Sequence, residues 1–408
     1  MVTAGFGKHF DLNISHYGTS IDELCQMVSE DFRPDLILIH DNSGPIAFTG
    51  IPESRIPSIF YSVDAHHHWH FHGLLAASFN HVYVAQKDYI DQMKEVCPEG
   101  SIEWLPLWAP IYIEPSRDKK YQACFVGNMD PKLHPERGKF FKELKKQASI
   151  EVFEGSYSKY FPFSQCVVNQ TVREDLNFRV FEAMMCGTLL LTEKTGNGLL
   201  ELFEDGVDLV TYQRANPQDA AEKINSFVKN PLQTIRIATT GREKVLQNHL
   251  PQHRAKKIFE KIQAIIGQPK TATYLPWMIN FAMIGSGFDD SYPEGALVAW
   301  RHSLNYAKLA IENGEPFDQE SCLYLLRTVC RFDMLTGKNH GETVIRELHQ
   351  SFPEERLLTL YLVRSHLNRG EQAQALQLAN KIAPQSEDVI FSAAEKFVAE
   401  ILDAKGPS

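Results

Sequence analysis

The sequence predicts two doubly wound α/β domains facing a cleft, followed by an all-α region. Short apolar runs without polar alternation recur through the first half of the chain, as in parallel strands covered on both faces. Helical stretches separate those runs, which is the order of βαβ units. After about residue 270 the strand-like runs stop and only amphipathic helical segments remain.

In the first block, "DLILIHD" (35–41), "PSIFYSVDA" (57–65), "HVYVAQ" (81–86) and "IEWLPL" (102–107) read as buried strands. Residues 20–30 and 87–96 carry helical spacing between them. "APIYIEPSRDKK" (109–120), with two prolines and then charges, reads as a linker. A second block follows: strands in "QACFVGN", "SIEVFEG", "SQCVVNQ", "TLLLTE" and "DLVTY", helices near 137–147 and 178–186, and helical sequence from Pro217 to about Ile266. The expected division is an N-terminal domain at 1–115, a second α/β domain at 116–270 and a helical region at 271–408. Segments such as "LNRGEQAQALQLANKIAP" resemble a tetratricopeptide helix pair, with a spacing of roughly 34 residues. Two tandem sheets place the expected ligand site in the cleft between them.

Lys and Arg total 41 against 51 Asp and Glu, a net charge of −10, which argues against a general nucleic-acid binder. No apolar run reaches the ~20 residues of a membrane helix, and the N-terminus lacks the charged and apolar regions of a secretory signal. The seven cysteines are scattered singly with no CxxC, as expected of a reduced cytoplasmic protein.

The most informative stretch is "REDLNFRVFEAMMCGTLLLTEKTGNGLLELFEDGVDLVTY" (173–212). Glu174 precedes a helix that Gly187 closes, and Glu182 lies about one turn inside it. Amides and the dipole at that helix start suit a diphosphate. A carboxylate one turn in can accept from ribose hydroxyls, and one in the preceding loop from a hexose. Diphosphate, ribose and hexose together describe a nucleotide sugar.

This stretch resembles the donor-binding motif of GT-B glycosyltransferases, closest to family 4-like proteins with the E-x7-E signature and their CgeB-like relatives. "FVGNMDPKLHPERGKFFKEL" (125–144) resembles the first strand and glycine turn of the same domain. The resemblance covers 121–266 well, the first domain in outline, and the helical tail not at all. It implies a retaining, metal-independent hexosyltransferase that uses a nucleotide-diphosphate sugar as co-substrate and no cofactor. Glu182 would bind the ribose and Glu174 the transferred sugar. Asn177, Gly127 and the loop Gly196-Asn197-Gly198-Leu199 would contact phosphates or sugar. Arg179 ranks first, before Arg137 and Lys132, as the cation that offsets charge on the leaving diphosphate. The family's usual Arg and Lys pair with clear spacing is missing from this chain.

"DAHHHWHFH" (64–72) packs five of the sixteen histidines beyond a strand end, the edge where open α/β sheets bind ligands. One imidazole there can contact a sugar hydroxyl or phosphate. His66, His67 and His68 all fit, and His66 stands for them with Glu174 and Asp64 among the catalytic candidates. Asp64 would be the base if the enzyme inverts. His68 and His72 stand four apart and could share a helix face as metal ligands, but no HExxH or cysteine pair joins them. Trp69 and Phe71 can flank the cleft or pack in the core. Two other readings fit the sequence: a catalytically inactive GT-B platform working through its helical repeats, and a nucleotide-sugar epimerase. Donor base, sugar, acceptor and oligomeric state lie beyond the sequence; the helical tail suits a protein partner, a polymer acceptor or self-association.

Overall fold

The computed structural model describes residues 18–28, 34–41, 43–268, 270, 272–288, 291–337, 341–382 and 396. A first helix, α1 (Ile21–Val28), precedes β1 (Ile37–His40) and β2 (Ser58–Ser62). The chain continues through α2 (Ala65–Ala76), β3 (His81–Val84), α3 (Ile90–Val96) and β4 (Ile102–Trp104). These four strands are all parallel and lie side by side in chain order. Alternate residues face opposite ways. Phe60, Val82 and Val84 enter one core, and Ile59, Tyr61 and Tyr83 enter another.

The second sheet comprises β5 (Tyr121–Val126), β6 (Ile150–Phe153), β7 (Ser164–Asn169), β8 (Leu189–Glu193) and β9 (Val210–Tyr212). Helix α4 (Pro135–Leu144) lies between β5 and β6, α5 (Phe178–Met185) between β7 and β8, and the short α6 (Leu199–Leu202) before β9. Helices α7 (Pro217–Lys229), α8 (Pro231–Asn248) and α9 (Pro251–Ile265) follow. The strand order is β6-β5-β7-β8-β9, so chain direction reverses between β5 and β7. A crevice opens outside the strand ends at such a point. Phe140, Phe141 and Leu144 of α4, with Ala220, Ala221 and Ile224 of α7, pack on Phe125, Val168 and Leu191. Val180, Phe181 and Met184 of α5 pack with Cys124, Val167 and Leu190 in a different core.

That second core also runs into the first sheet. Ile258 and Ile265 of α9 join Ile59, Tyr61 and Tyr83, and Tyr83 donates its hydroxyl proton to the Lys257 carbonyl at 3.2 Å. Arg254 ties the crossing: its guanidinium donates to the carbonyls of Pro106, Leu107 and Asn248 at 2.6, 2.6 and 3.0 Å. Three carbonyls in planar range of one buried cation hold the linker against the returning helix.

The remaining helices are α10 (Leu275–Phe288), α11 (Pro293–Glu312), α12 (Gln319–Thr336), α13 (Glu342–Ser351), α14 (Arg356–Asn368) and α15 (Gln372–Ile382). Helix α10, "LPWMINFAMIGSGF", is apolar on every side because it is covered on every side. Its Trp277 and Phe281 lie in one continuous core with Phe60 and Val84 of the first sheet and Trp300 and Leu325 of the next helices. Gly285 allows the close approach to α11: a Cβ there would sit 2.6 Å from the Trp300 ring. Among the described residues no helix is long and apolar enough to cross a membrane.

Asn280 joins the helical region to the first sheet's loops. Fully buried, it accepts from the Ile46 amide at 2.7 Å and donates to the Ile46 carbonyl at 2.8 Å. Asn280→Ala strands both backbone groups, so urea denaturation should register a loss of about 2–3 kcal/mol. A loss below ~0.5 kcal/mol would mean this contact does not hold the two regions together.

Candidate functional site

The site is built around the strand-order reversal. Gly127 follows β5, and an alanine methyl there would lie 2.7 Å from Arg179 Nη2 and 2.8 Å from the Phe125 ring, so only glycine fits. Arg179, in the first turn of α5, donates from Nε to the Val126 carbonyl at 3.1 Å and from Nη1 to Asn169 Oδ1 at 2.7 Å. Its guanidinium carbon lies 4.4 Å from the centre of the Phe125 ring, and that of Arg137 lies 5.3 Å from the same ring. Arg137, in the first turn of α4, donates to Gln170 Oε1 at 2.9 Å and to the Asn128 carbonyl at 2.8 Å. Burial, then the neighbouring Arg179, brings the Arg137 pKa down to about 10. Two cations thus converge where the crevice opens, fastened through neutral acceptors. Lys132, by contrast, is exposed.

The loop between β7 and α5 is held from below. Glu193, at the end of β8, accepts from the Thr171 amide and hydroxyl at 2.8 and 2.5 Å and from the Ala215 amide at 3.0 Å. Arg173 and Glu174 then adopt left-handed backbone, φ 50° and 64°, at a cost of about 1–3 kcal/mol each. Such strain in adjacent residues needs its surroundings to enforce it, and it concentrates at sites. Asp175, nearly buried, accepts from the Val172 amide at 2.7 Å; burial raises its pKa, opposed by that bond and by Arg179. Glu174 extends its carboxylate to Arg214 in an ion pair half-open to solvent.

Glu182 lies one turn into α5. Burial raises its pKa to about 7 against the pull of Arg179. Among the described residues its carboxylate makes no hydrogen bond or ion pair. Asn177 begins the helix without a side-chain cap, and its Oδ1 is buried without a partner.

The glycine loop meets the first domain. Asn197 donates its amide to Asp88 Oδ2 at 2.8 Å and accepts from the Asp88 amide at 3.1 Å. The same asparagine donates to the Glu174 carbonyl at 2.9 Å. A Cβ on Gly196 would fall 2.1 Å from Asp88 Oδ2, and one on Gly198 would fall 2.4 Å from the Trp104 ring. Leu199 is buried in the core. Gln86, also buried, accepts from the Leu176 amide at 2.8 Å. The loop expected to face phosphates therefore already holds a carboxylate from the opposite domain.

On the first domain's side, Asp64 ends the β2 segment. Burial, then the like charges of Asp41 and Asp175, raises its pKa to about 6. His66 is buried, its Nδ1 has no hydrogen-bond partner, and its carbonyl accepts from Arg173 Nη1 at 3.2 Å. Burial pulls its pKa to about 3, with His67 and Arg173 adding to the effect. His67 is exposed. His68 breaks the helix, φ −132° and ψ 20°. His72 is a core residue bonded to Ser62 Oγ at 2.8 Å. The rings of His68 and His72 lie 5.7 Å apart across the kink, and His72 is engaged through its Nδ1. Among the described residues no three His, Cys, Asp or Glu side chains converge to hold a metal.

The structure brings Gly127, Arg137, Asn177, Arg179 and Glu182 together at the reversal point, with Asp64 and His66 opposite. Arg173 and Asp175, inside the 173–212 stretch but given no role by the sequence, also stand here, as do Gln86 and Asp88, which no sequence motif marks. Residues 113–260 match the family model described as glycosyl transferase-like. Similar solved structures include HepE of Anabaena in complex with UDP and glucose, at 13% identity over 60% of this chain and 80% of that one, TM-score 0.45. A sucrose-phosphate synthase from Thermosynechococcus elongatus is similar at 11% identity, 60% and 77% coverage and TM-score 0.48. A glycosyltransferase from Rickettsia africae ESF-5 is similar at 13%, 60% and 81%, TM-score 0.41. No curated protein matches the chain significantly.

The pKa of Glu182 makes a test of the glycosyl transferase-like domain. Its folded value near 7 exceeds the ordinary 4.5, so the native state keeps a proton that the unfolded chain has lost. Its contribution to stability therefore falls as pH rises through that window. Glu182→Gln removes this dependence. The variant should gain on the order of 3 kcal/mol relative to wild type between pH 5 and pH 8, read by denaturation at both pH values. An equal difference at the two would show an ordinary, solvated carboxylate.

Proposed function

We propose that the chain is a glycosyltransferase that moves a sugar from a nucleotide-diphosphate sugar to an acceptor in the cleft between its two α/β domains. The observation that carries this reading is the pairing of buried Arg137 with half-buried Arg179 on Phe125 at the strand-order reversal, beside Glu182, a carboxylate with no partner among the described residues. Arg179 Nη2, which makes no bond there, the amides at the start of α5 and Arg137 receive the diphosphate. Glu182 accepts from the ribose hydroxyls. Glu174, on its strained loop, exchanges Arg214 for hydroxyls of the transferred sugar, with Asn177 and residues 196–199 around it. His66 offers its unpartnered Nδ1 from the facing domain.

In this reaction the bond from the anomeric carbon to the β-phosphate oxygen breaks, and its electron pair leaves on the diphosphate. Guanidinium groups and helix-terminal amides offset that charge without a metal. The acceptor oxygen bonds to the anomeric carbon and its proton passes to the leaving phosphate, which retains configuration. Asp64, held near pKa 6, would take that proton if the attack came from the opposite face. The contacts of Gln86 and Asp88 favour closure around the donor, which excludes water. The Asn177, Arg179 and Glu182 pattern supports a CgeB-like subfamily, and the antiparallel pairing of α14 with α15 a tetratricopeptide-like tail. No disulfide joins the seven cysteines, in keeping with a cytoplasmic setting.

A panel of UDP-, GDP-, ADP- and dTDP-sugars tests the reading by calorimetry and donor hydrolysis. At least one donor should bind, and Glu182→Ala and Arg179→Ala should each weaken it at least tenfold, about 1.4 kcal/mol. EDTA should leave turnover unchanged. If no nucleotide sugar binds, the proposal fails.

A further inference from the structure

A cavity of about 190 Å3 lies between α2 and the helical region, outside the donor crevice. Its walls include Trp69, Phe71 and Leu74 of α2 and Met283 of α10. Its polar edge comes from His68 and His70 of α2 and from Glu320 and Tyr324 of α12. Tyr324 is only 9% exposed, yet among the described residues its hydroxyl makes no hydrogen bond.

The chemistry of the lining selects that ligand. Aromatic faces at the wall suit the C–H face of a ring, and a carboxylate, a phenol and imidazoles at the edge suit several hydroxyls. No lysine or arginine lines the cavity, and Glu320 would repel an anion. The volume equals about six waters, enough for one ring and too small for a folded segment. One lining residue relates the cavity to the cleft. His67 lines it, and the same imidazole lies within electrostatic reach of Arg173 on the strained loop and of His134 at the start of α4.

We propose that this cavity binds a neutral sugar ring of the acceptor, so that the helical region helps select a glycan acceptor. The word acceptor rests on the transferase reading; the binding of a neutral sugar ring does not. Saturation-transfer NMR on the full chain without donor tests it, using methyl β-glucopyranoside, methyl β-galactopyranoside and methyl α-mannopyranoside, with glucose 6-phosphate as the anionic counterpart. At least one neutral glycoside should receive saturation, and glucose 6-phosphate at most one-fifth as much. Trp69→Ala should reduce the signal at least fivefold. If that variant does not fold, Glu320→Gln, at an exposed position, should reduce it at least threefold. Absence of transfer to all three glycosides, or transfer undiminished in both variants, overturns the inference. Nucleotide-sugar binding is measured separately: glycoside binding without donor binding sinks the transferase reading alone, and donor binding without glycoside binding sinks this one alone.

Discussion

Two guanidinium groups share the ring of Phe125, and the organisation of the cleft follows from keeping them there. Each is removed from water, at a desolvation cost that neutral carbonyl and amide acceptors only partly offset. Val126, Asn128, Asn169 and Gln170 supply those acceptors, and all four stand at or just beyond the ends of β5 and β7. The reversal of strand order is what places these two strand ends side by side. Glu182, Asp175 and Glu193 are the nearby carboxylates. An anion bound between the arginines would relieve their mutual repulsion.

The second dependency runs across the cleft. Gln86 behaves as a surrogate strand partner for Leu176, and Asp88 occupies the Asn197 amide beside Gly196. Lys87 pairs with Glu201 next to them. Three consecutive residues at the end of β3 thus grip the second domain's loops, while Arg254 and α9 hold the hinge side.

Much of this was legible beforehand. Apolar runs marked the nine strands of the described residues; β2, β3, β8 and β9 are buried at every position and so show no alternation. The E-x7-E spacing located α5, since Gly187 must adopt positive φ where that helix ends. The histidine run was ambiguous for a physical reason: five imidazoles in nine residues report proximity but not burial. The fold separates them, leaving His66 buried with an open nitrogen, His72 bonded in the core and His68 at a kink. Gln86 and Asp88 carried no signal, because their partners Leu176 and Asn197 lie in other segments, with no fixed sequence spacing to reveal them.

Local order was therefore written in the chain: which runs are strands and where helices stop. Those properties depend on neighbours within one or two turns. Which arginines lose their water, which carboxylate goes unpaired and which histidine faces the crevice emerged from packing. Those outcomes depend on burial and on contacts between segments up to more than 100 residues apart, such as Asp88 with Asn197, and burial is a property of the assembled fold.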